Sequence, residues 1–278
     1  MGRFEGRRVL ITGGARGQGR NHAVRFAREG ADVAVLDIAS TRIETVPYDI
    51  ATPDDLEETV GLIEAEGRRG LAVQADVRSA TETERAVARV IERFETIDVL
   101  VVNAGICTFG PIESMDESLW QTMLDVNLTG AFNSVRPVVP GMLENGYGRV
   151  IATSSMAGRA GWENIGHYAA SKWGLIGMVK SLALEVANRG VTANIVCPSS
   201  VNTPMMHNEA SYRLFRPDLE DPTMEDALPA FQSVNVLPVP YAETDDISDS
   251  VLFLASDEAK FITGATLSPS TGVNARNV

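Results

Sequence analysis

Val9-Leu10-Ile11-Thr12-Gly13-Gly14-Ala15-Arg16-Gly17-Gln18-Gly19 is the stretch that decides the fold. An apolar run of strand type ends at Thr12, and helical patterning begins by position 18. Glycines at 13, 17 and 19 let the backbone turn sharply and approach a pyrophosphate closely. A helix starting there aims free N–H groups and the positive end of its dipole at such an anion. A glycine-rich turn alone says little. Flanked by a strand and a helix, it predicts a dinucleotide-binding βα unit.

Outward from the turn, short β-rich runs alternate with helical patterns. Arg8–Thr12, Asp32–Leu36, Gly70–Gln74, Ile97–Val102, Arg149–Thr153, Val191–Val196 and Thr266–Leu267 read as strands. Helices are expected near 18–29, 53–66, 81–94, 116–144, 166–188 and 244–255. Several strands are apolar without alternation, as expected of strands covered on both faces. The predicted fold is therefore α/β, a Rossmann-like doubly wound parallel sheet of about seven strands flanked by helices. A single domain over residues 1–278 is expected, with no internal repeat.

Two segments exceed the usual two to six residues of a connection. Ile38–Ala51 joins the second strand to the second helix, and 204–241 is rich in Met, Pro, Phe and acids. Each reads as a binding loop or lid, or else as a tolerated surface insertion.

Composition excludes several classes of function. With 44% hydrophobic and 22% charged residues the chain is an ordinary globular mixture. A net charge of −13 disfavours nucleic acid and anionic membrane surfaces. Cys107 and Cys197 each follow an apolar run, so buried free thiols and a reducing cytoplasm are expected. The start, Met1-Gly2-Arg3-Phe4-Glu5-Gly6, lacks the features of a signal or myristoylation site, and no run approaches membrane-spanning length. His22, His167 and His207 lack ligand spacing, so no metal site is expected.

Asp37 closes the second strand. A carboxylate there can accept the adenosine ribose hydroxyls and repel a 2′-phosphate, which favours NAD over NADP. Arg16 argues the other way, because a guanidinium beside the turn can pair with a phosphate. Ile38, Ala39 and Ser40 supply no basic residue to join it.

Tyr168-Ala169-Ala170-Ser171-Lys172 puts a phenol and an ammonium one helical turn apart. A Lys172 cation that stabilises the phenolate would let Tyr168 trade protons with an alcohol or ketone oxygen. Such a pair is by itself no more than a solvated helix face. Ser155 strengthens it: the residue lies just past the apolar strand Val150–Thr153, at the carboxyl end where such sheets bind ligands. Its hydroxyl can steady charge on a substrate oxygen.

The Thr12–Gly19 turn, Asn103-Ala104-Gly105, Ser155, and Tyr168 with Lys172 resemble the short-chain dehydrogenase/reductase family, in family order and over nearly the whole chain. The resemblance implies that Asn127 completes a catalytic tetrad with Ser155, Tyr168 and Lys172, holding a water that relays protons to Lys172. It implies that Gly13, Arg16, Gly17, Gln18, Gly19, Asp37 and Ile38 bind the phosphate and adenosine parts of NAD, with Asp76 and Val77 at the adenine. Asn103, Ala104 and Gly105 would shape the cofactor floor, and Lys172 with Tyr168 would meet the nicotinamide ribose. Pro198, Val201 and Thr203 would address the nicotinamide end.

Arg16–Arg20, the loop after Asp37, Phe215–Leu219 and Leu254–Glu258 are similar to carveol dehydrogenases of the mycofactocin-associated type. That subgroup oxidises hydrophobic, terpenoid-like secondary alcohols. It implies a flap at 38–51 over the adenosine half of a tightly held NAD, re-oxidised in place by an external acceptor, and a homotetramer. Ser199 stands after Pro198 where much of the family has glycine, and Ser268-Pro269-Ser270-Thr271-Gly272 replaces an acidic ending, which is expected to alter a subunit contact. His167 and Trp173 flank the catalytic pair and are expected either to line the pocket or to be structural. The competing functions are a 3-oxoacyl or steroid reductase with exchangeable cofactor, and a nucleotide-sensing protein without catalysis.

Overall fold

The computed structural model describes residues 2–40 and 42–276. Seven parallel strands form one sheet: β1 (Arg8–Thr12), β2 (Asp32–Asp37), β3 (Gly70–Gln74), β4 (Val99–Val102), β5 (Gly148–Thr153), β6 (Val191–Val196) and β7 (Thr266–Leu267), in the order β3-β2-β1-β4-β5-β6-β7. Chain direction across the sheet reverses between β1 and β4, which opens a crevice at their carboxyl ends. The strands show no polar alternation because both faces are covered. Leu10, Leu36 and Leu100 face one core, while Val9, Ile11 and Val35 face the other.

The helices are α1 (Gly17–Arg28), α2 (Pro53–Ala65), α3 (Ala80–Phe94), α4 (Glu117–Leu124), α5 (Gly130–Val135), α6 (Val139–Asn145), α7 (Gly166–Val186), α8 (Glu209–Phe215), α9 (Met224–Val234) and α10 (Thr244–Ala255). α2 starts as its sequence predicts. Thr52 accepts the Asp55 N–H, the Asp55 carboxylate accepts the Thr52 N–H, and Pro53 takes the first turn.

The helix expected over 116–144 is in fact three. Asp125–Thr129 forms a π-helical turn after α4. α5 then stops two residues before Pro137, which has no N–H to continue it, and α6 restarts with Pro140 in its first turn. The segment 204–241 contains the helices α8 and α9, hidden in the sequence by its prolines and acids. Thr223 and Asp226 box the start of α9, and Phe231 is fully buried between Tyr212 and Phe215. Among the described residues, no helix is long and apolar enough to cross a membrane.

The replaced C-terminal stretch works within the chain. The Thr271 carbonyl accepts the N–H groups of Val236 and Leu237, and the Thr271 hydroxyl meets Ser199 and Asn235. It therefore pins the end of the 204–241 segment to the strand-end turn after β6.

Candidate active site

The crevice at the strand ends is one continuous cleft. At one end lie Gly13, Arg16, Gly17, Gln18, Asp37, Ile38, Asp76 and Val77. Asn103, Ala104 and Gly105 follow, then Ser155, Tyr168, Lys172, Pro198, Val201 and Thr203. Gly19 and Asn127, both expected in the site, do not line it.

Gly19 acts on packing instead. A Cβ there would lie 2.0 Å from the Gly13 carbonyl oxygen, so only glycine lets α1 press against the turn. Gly17 adopts φ +56°, a left-handed conformation that favours glycine. Thr12 was not singled out by the sequence, yet its hydroxyl accepts the N–H groups of both Asn103 and Ala104. The Asn103 amide in turn donates to the carbonyls of Thr12 and Gly13, locking the end of β4 to the turn.

Asp37 is buried, and burial pushes its carboxyl above the usual range against the pull of its amide donors. One oxygen accepts the Ala15 N–H and the other the Ala39 N–H. Each keeps a lone pair free for a further donor. Arg16, which argued for a phosphate, lines the cleft, and its guanidinium also donates to the Asp49 carbonyl. Asp76 is held by a two-pronged ion pair with Arg78.

At the other end, α7 brings Tyr168 and Lys172 to the cleft on its inward side. Lys172 is buried, so the pair is not a solvated face. Its ammonium donates to the Thr153 carbonyl at 2.9 Å and lies 5.6 Å from the centre of the Tyr168 ring. Burial lowers the Lys172 pKa to about 8. Burial also pushes the Tyr168 phenol up, with Ser155 pulling the other way. Desolvation is the largest influence on both groups, because it penalises both charged forms.

Ser155 caps the short turn Met156–Gly158 by accepting the Ala157 N–H, which fixes its hydroxyl at the end of β5. Asn127 sits in the π-helical turn, and its side chain is fully engaged. Its carbonyl oxygen accepts the Ile106 N–H, and its amide donates to the Ile106 carbonyl and Ser171. A Cβ at Gly105 would lie 3.3 Å from Asn127 Oδ1 and 3.4 Å from Lys172 Nζ, so the bare glycine keeps the space between them open. Neither His167 nor Trp173 lines the cleft. His167 is buried against the Thr108 hydroxyl, and Trp173 is exposed.

The cleft also contains residues that sequence reasoning missed. Tyr48 comes from the 38–51 loop, Ile106 and Cys107 follow the cofactor floor, and Met205 and Met206 open the 204–241 segment. The anomalous length of the two segments signalled Tyr48, Met205 and Met206, and nothing placed Ile106 and Cys107 in the site. The loop reaches further than the adenosine half: Ile43, Val46 and Ile50 pack with Ile106, Met123 and Val126, and Tyr168 packs against this cluster. Thr41, within the loop, lies outside the described residues, as does Met1.

The model of the short chain dehydrogenase family matches residues 7–213. The chain belongs to that family. The chain is 42% identical over 276 residues to a (-)-trans-carveol dehydrogenase of Rhodococcus erythropolis, covering 98% of this chain and 99% of the relative. The crystal structure of a carveol dehydrogenase from Mycobacterium avium in complex with NAD superposes with a TM-score of 0.97 at 42% identity, over 99% of this chain and 100% of that one. A 3-oxoacyl-[acyl-carrier-protein] reductase of Staphylococcus epidermidis is 35% identical over 265 residues, 95% of this chain and 98% of the relative. In this short-chain dehydrogenase the family match spans the turn, the cofactor floor, Ser155, Tyr168 and Lys172.

Proposed function

We propose that this short-chain dehydrogenase is an NAD-dependent oxidoreductase that interconverts a hydrophobic, terpenoid-like secondary alcohol and its ketone. The observation that carries the reading is the meeting, in one cleft, of the Asp37-closed glycine turn with Ser155, Tyr168 and Lys172. The residues fit NAD. The Gln18 side-chain oxygen and the Thr153 hydroxyl are buried without a partner beside the cleft, and Asp37 retains acceptor capacity for ribose hydroxyls. Asp37 at the end of β2 would repel a 2′-phosphate, which favours NAD over NADP.

Gly13, Gly17 and Gln18 would hold the pyrophosphate, Asp37 and Ile38 the adenosine ribose, and Asp76 with Val77 the adenine. Asn103, Ala104 and Gly105 would floor the site, and Pro198, Val201 and Thr203 would hold the nicotinamide end. When bound, NAD supplies the hydride acceptor. Ser155 orients the substrate oxygen, and Tyr168 takes its hydroxyl proton. Lys172 steadies the phenolate form that accepts this proton, and the open space at Gly105 suits a water that, held at Asn127, would relay protons to Lys172. Met205 and Met206 give the cleft soft apolar walls, which suit a hydrophobic substrate.

The same reading extends to a tightly held NAD re-oxidised by an external, mycofactocin-like acceptor, a homotetramer, and a place in the cytoplasm. Tyr168→Phe is expected to cut turnover by about 10³-fold, within the usual range for a general acid–base group, while NAD binding persists. Steady-state rates and cofactor titration of the purified variant check this, and near-normal turnover would sink the assignment. Turnover of acyl thioesters in preference to cyclic alcohols would favour the 3-oxoacyl reductase reading.

A further inference from the structure

Three consecutive residues, Ile106, Cys107 and Thr108, follow the cofactor floor, and the first two line the cleft. Each is held by a side chain from a different element. Asn127 of the π-helical turn grips both backbone groups of Ile106. The Cys107 N–H donates to the Tyr48 hydroxyl at 3.0 Å. His167 of α7 meets the Thr108 hydroxyl at 2.7 Å. The first and third holders sit on helical elements packed against each other. Tyr48 does not.

Tyr48 belongs to 38–51, whose backbone, among the described residues, makes a single backbone–backbone bond, from Val46 N–H to the Ile43 carbonyl within the segment itself. Side chains attach the rest. Gln74 donates to the Ile38 and Ala39 carbonyls at the start, and the Arg16 guanidinium donates to Asp49 near the end. Ile43, Val46 and Ile50 seat on Ile106, Met123 and Val126. The segment is therefore a strap laid along the cleft, and Tyr48 is its hydrogen bond at the reacting end.

We propose that Tyr48 latches this strap over the reacting end of the cleft, so that the Tyr48–Cys107 hydrogen bond must break before a bound dinucleotide can leave. The inference rests on the dinucleotide reading of the cleft. Opening the strap strips the Cys107 N–H of its acceptor and lifts three apolar side chains from their seats, so opening is costly and release is slow.

The test loads the purified full-length protein with NADH, chases it with excess NAD, and follows loss of bound-NADH fluorescence. Tyr48→Phe keeps the ring and removes the hydroxyl acceptor. It is expected to release NADH about 10-fold faster, equivalent to about 1.4 kcal/mol. A rate within about twofold of the unmodified protein would overturn the latch, twofold being well below that 1.4 kcal/mol step. Trypsin cleavage after the exposed Arg42 in the strap gives a second readout. In the unmodified protein that cleavage must slow as NAD is added; a rate indifferent to NAD also overturns the latch, whether or not the variant folds. Absence of both co-purified and added NAD from the unmodified protein overturns the cofactor reading and the latch with it. Rapid release, equally rapid in both proteins, removes the latch alone.

Discussion

Two long segments border the same cleft and are built in opposite ways. The 204–241 segment carries its own support: capped helices α8 and α9, and a buried Phe231 whose ring meets Phe215 edge-on at 4.6 Å. Among its described residues the 38–51 strap has no helix or strand and takes its shape from what it touches. A self-supported segment can shape a substrate pocket without regard to the cofactor. A strap held by the cleft walls responds to whatever fills the cleft. On the proposed reading, substrate selection falls to one and cofactor retention to the other.

The sharpest way to break this contrast is a pair of truncations. Phe231→Ala empties a fully buried site, with a cost of about 3–5 kcal/mol. It is expected to raise KM for the alcohol more than about 10-fold, the equivalent of about 1.4 kcal/mol, and to leave NAD affinity nearly unchanged. Val46→Ala, losing about 1–2 kcal/mol of strap contact, is expected to do the reverse. Steady-state kinetics and cofactor titration on both variants decide it; equal effects on both ligands would erase the distinction.

Beneath both segments lies Lys172, whose burial lowers its pKa from 10.5 to about 8. The unfolded chain binds this proton more tightly, so the folded state gains stability as pH rises from about 8 to about 10.5. At pH 7 the buried charge is a cost. Lys172→Met is expected to abolish turnover yet stabilise the fold by about 2 kcal/mol, after allowing for the lost bond to Thr153. Denaturant melts at pH 7 and pH 10 check the sign, since the advantage must shrink at the higher pH.

The smallest effect compares two helix caps. Thr52→Ala and Thr223→Ala each remove a capping-box hydroxyl, at about 1 kcal/mol. Thermal melts should register both. Only Thr52→Ala, at the strap's end, is expected to speed NADH release as well.

The strand positions, the glycine turn, Asp37, and the order of Ser155, Tyr168 and Lys172 were all legible in the chain itself. These are local facts: an apolar run records a strand buried on both faces, and a glycine records a backbone position with no room for Cβ. Even so, β4 begins at Val99 rather than Ile97, and one long expected helix is divided at the π-helical turn and Pro137. Tertiary contact alone decided that Tyr48 lands on Cys107, that Arg16 reaches the Asp49 carbonyl, and that the Asn127 side chain grips Ile106. It also decided that burial, not Lys172, dominates the titration of Tyr168. A chain writes its backbone preferences residue by residue. Which distant groups desolvate or hold one another is fixed only when the sheet and its long segments close.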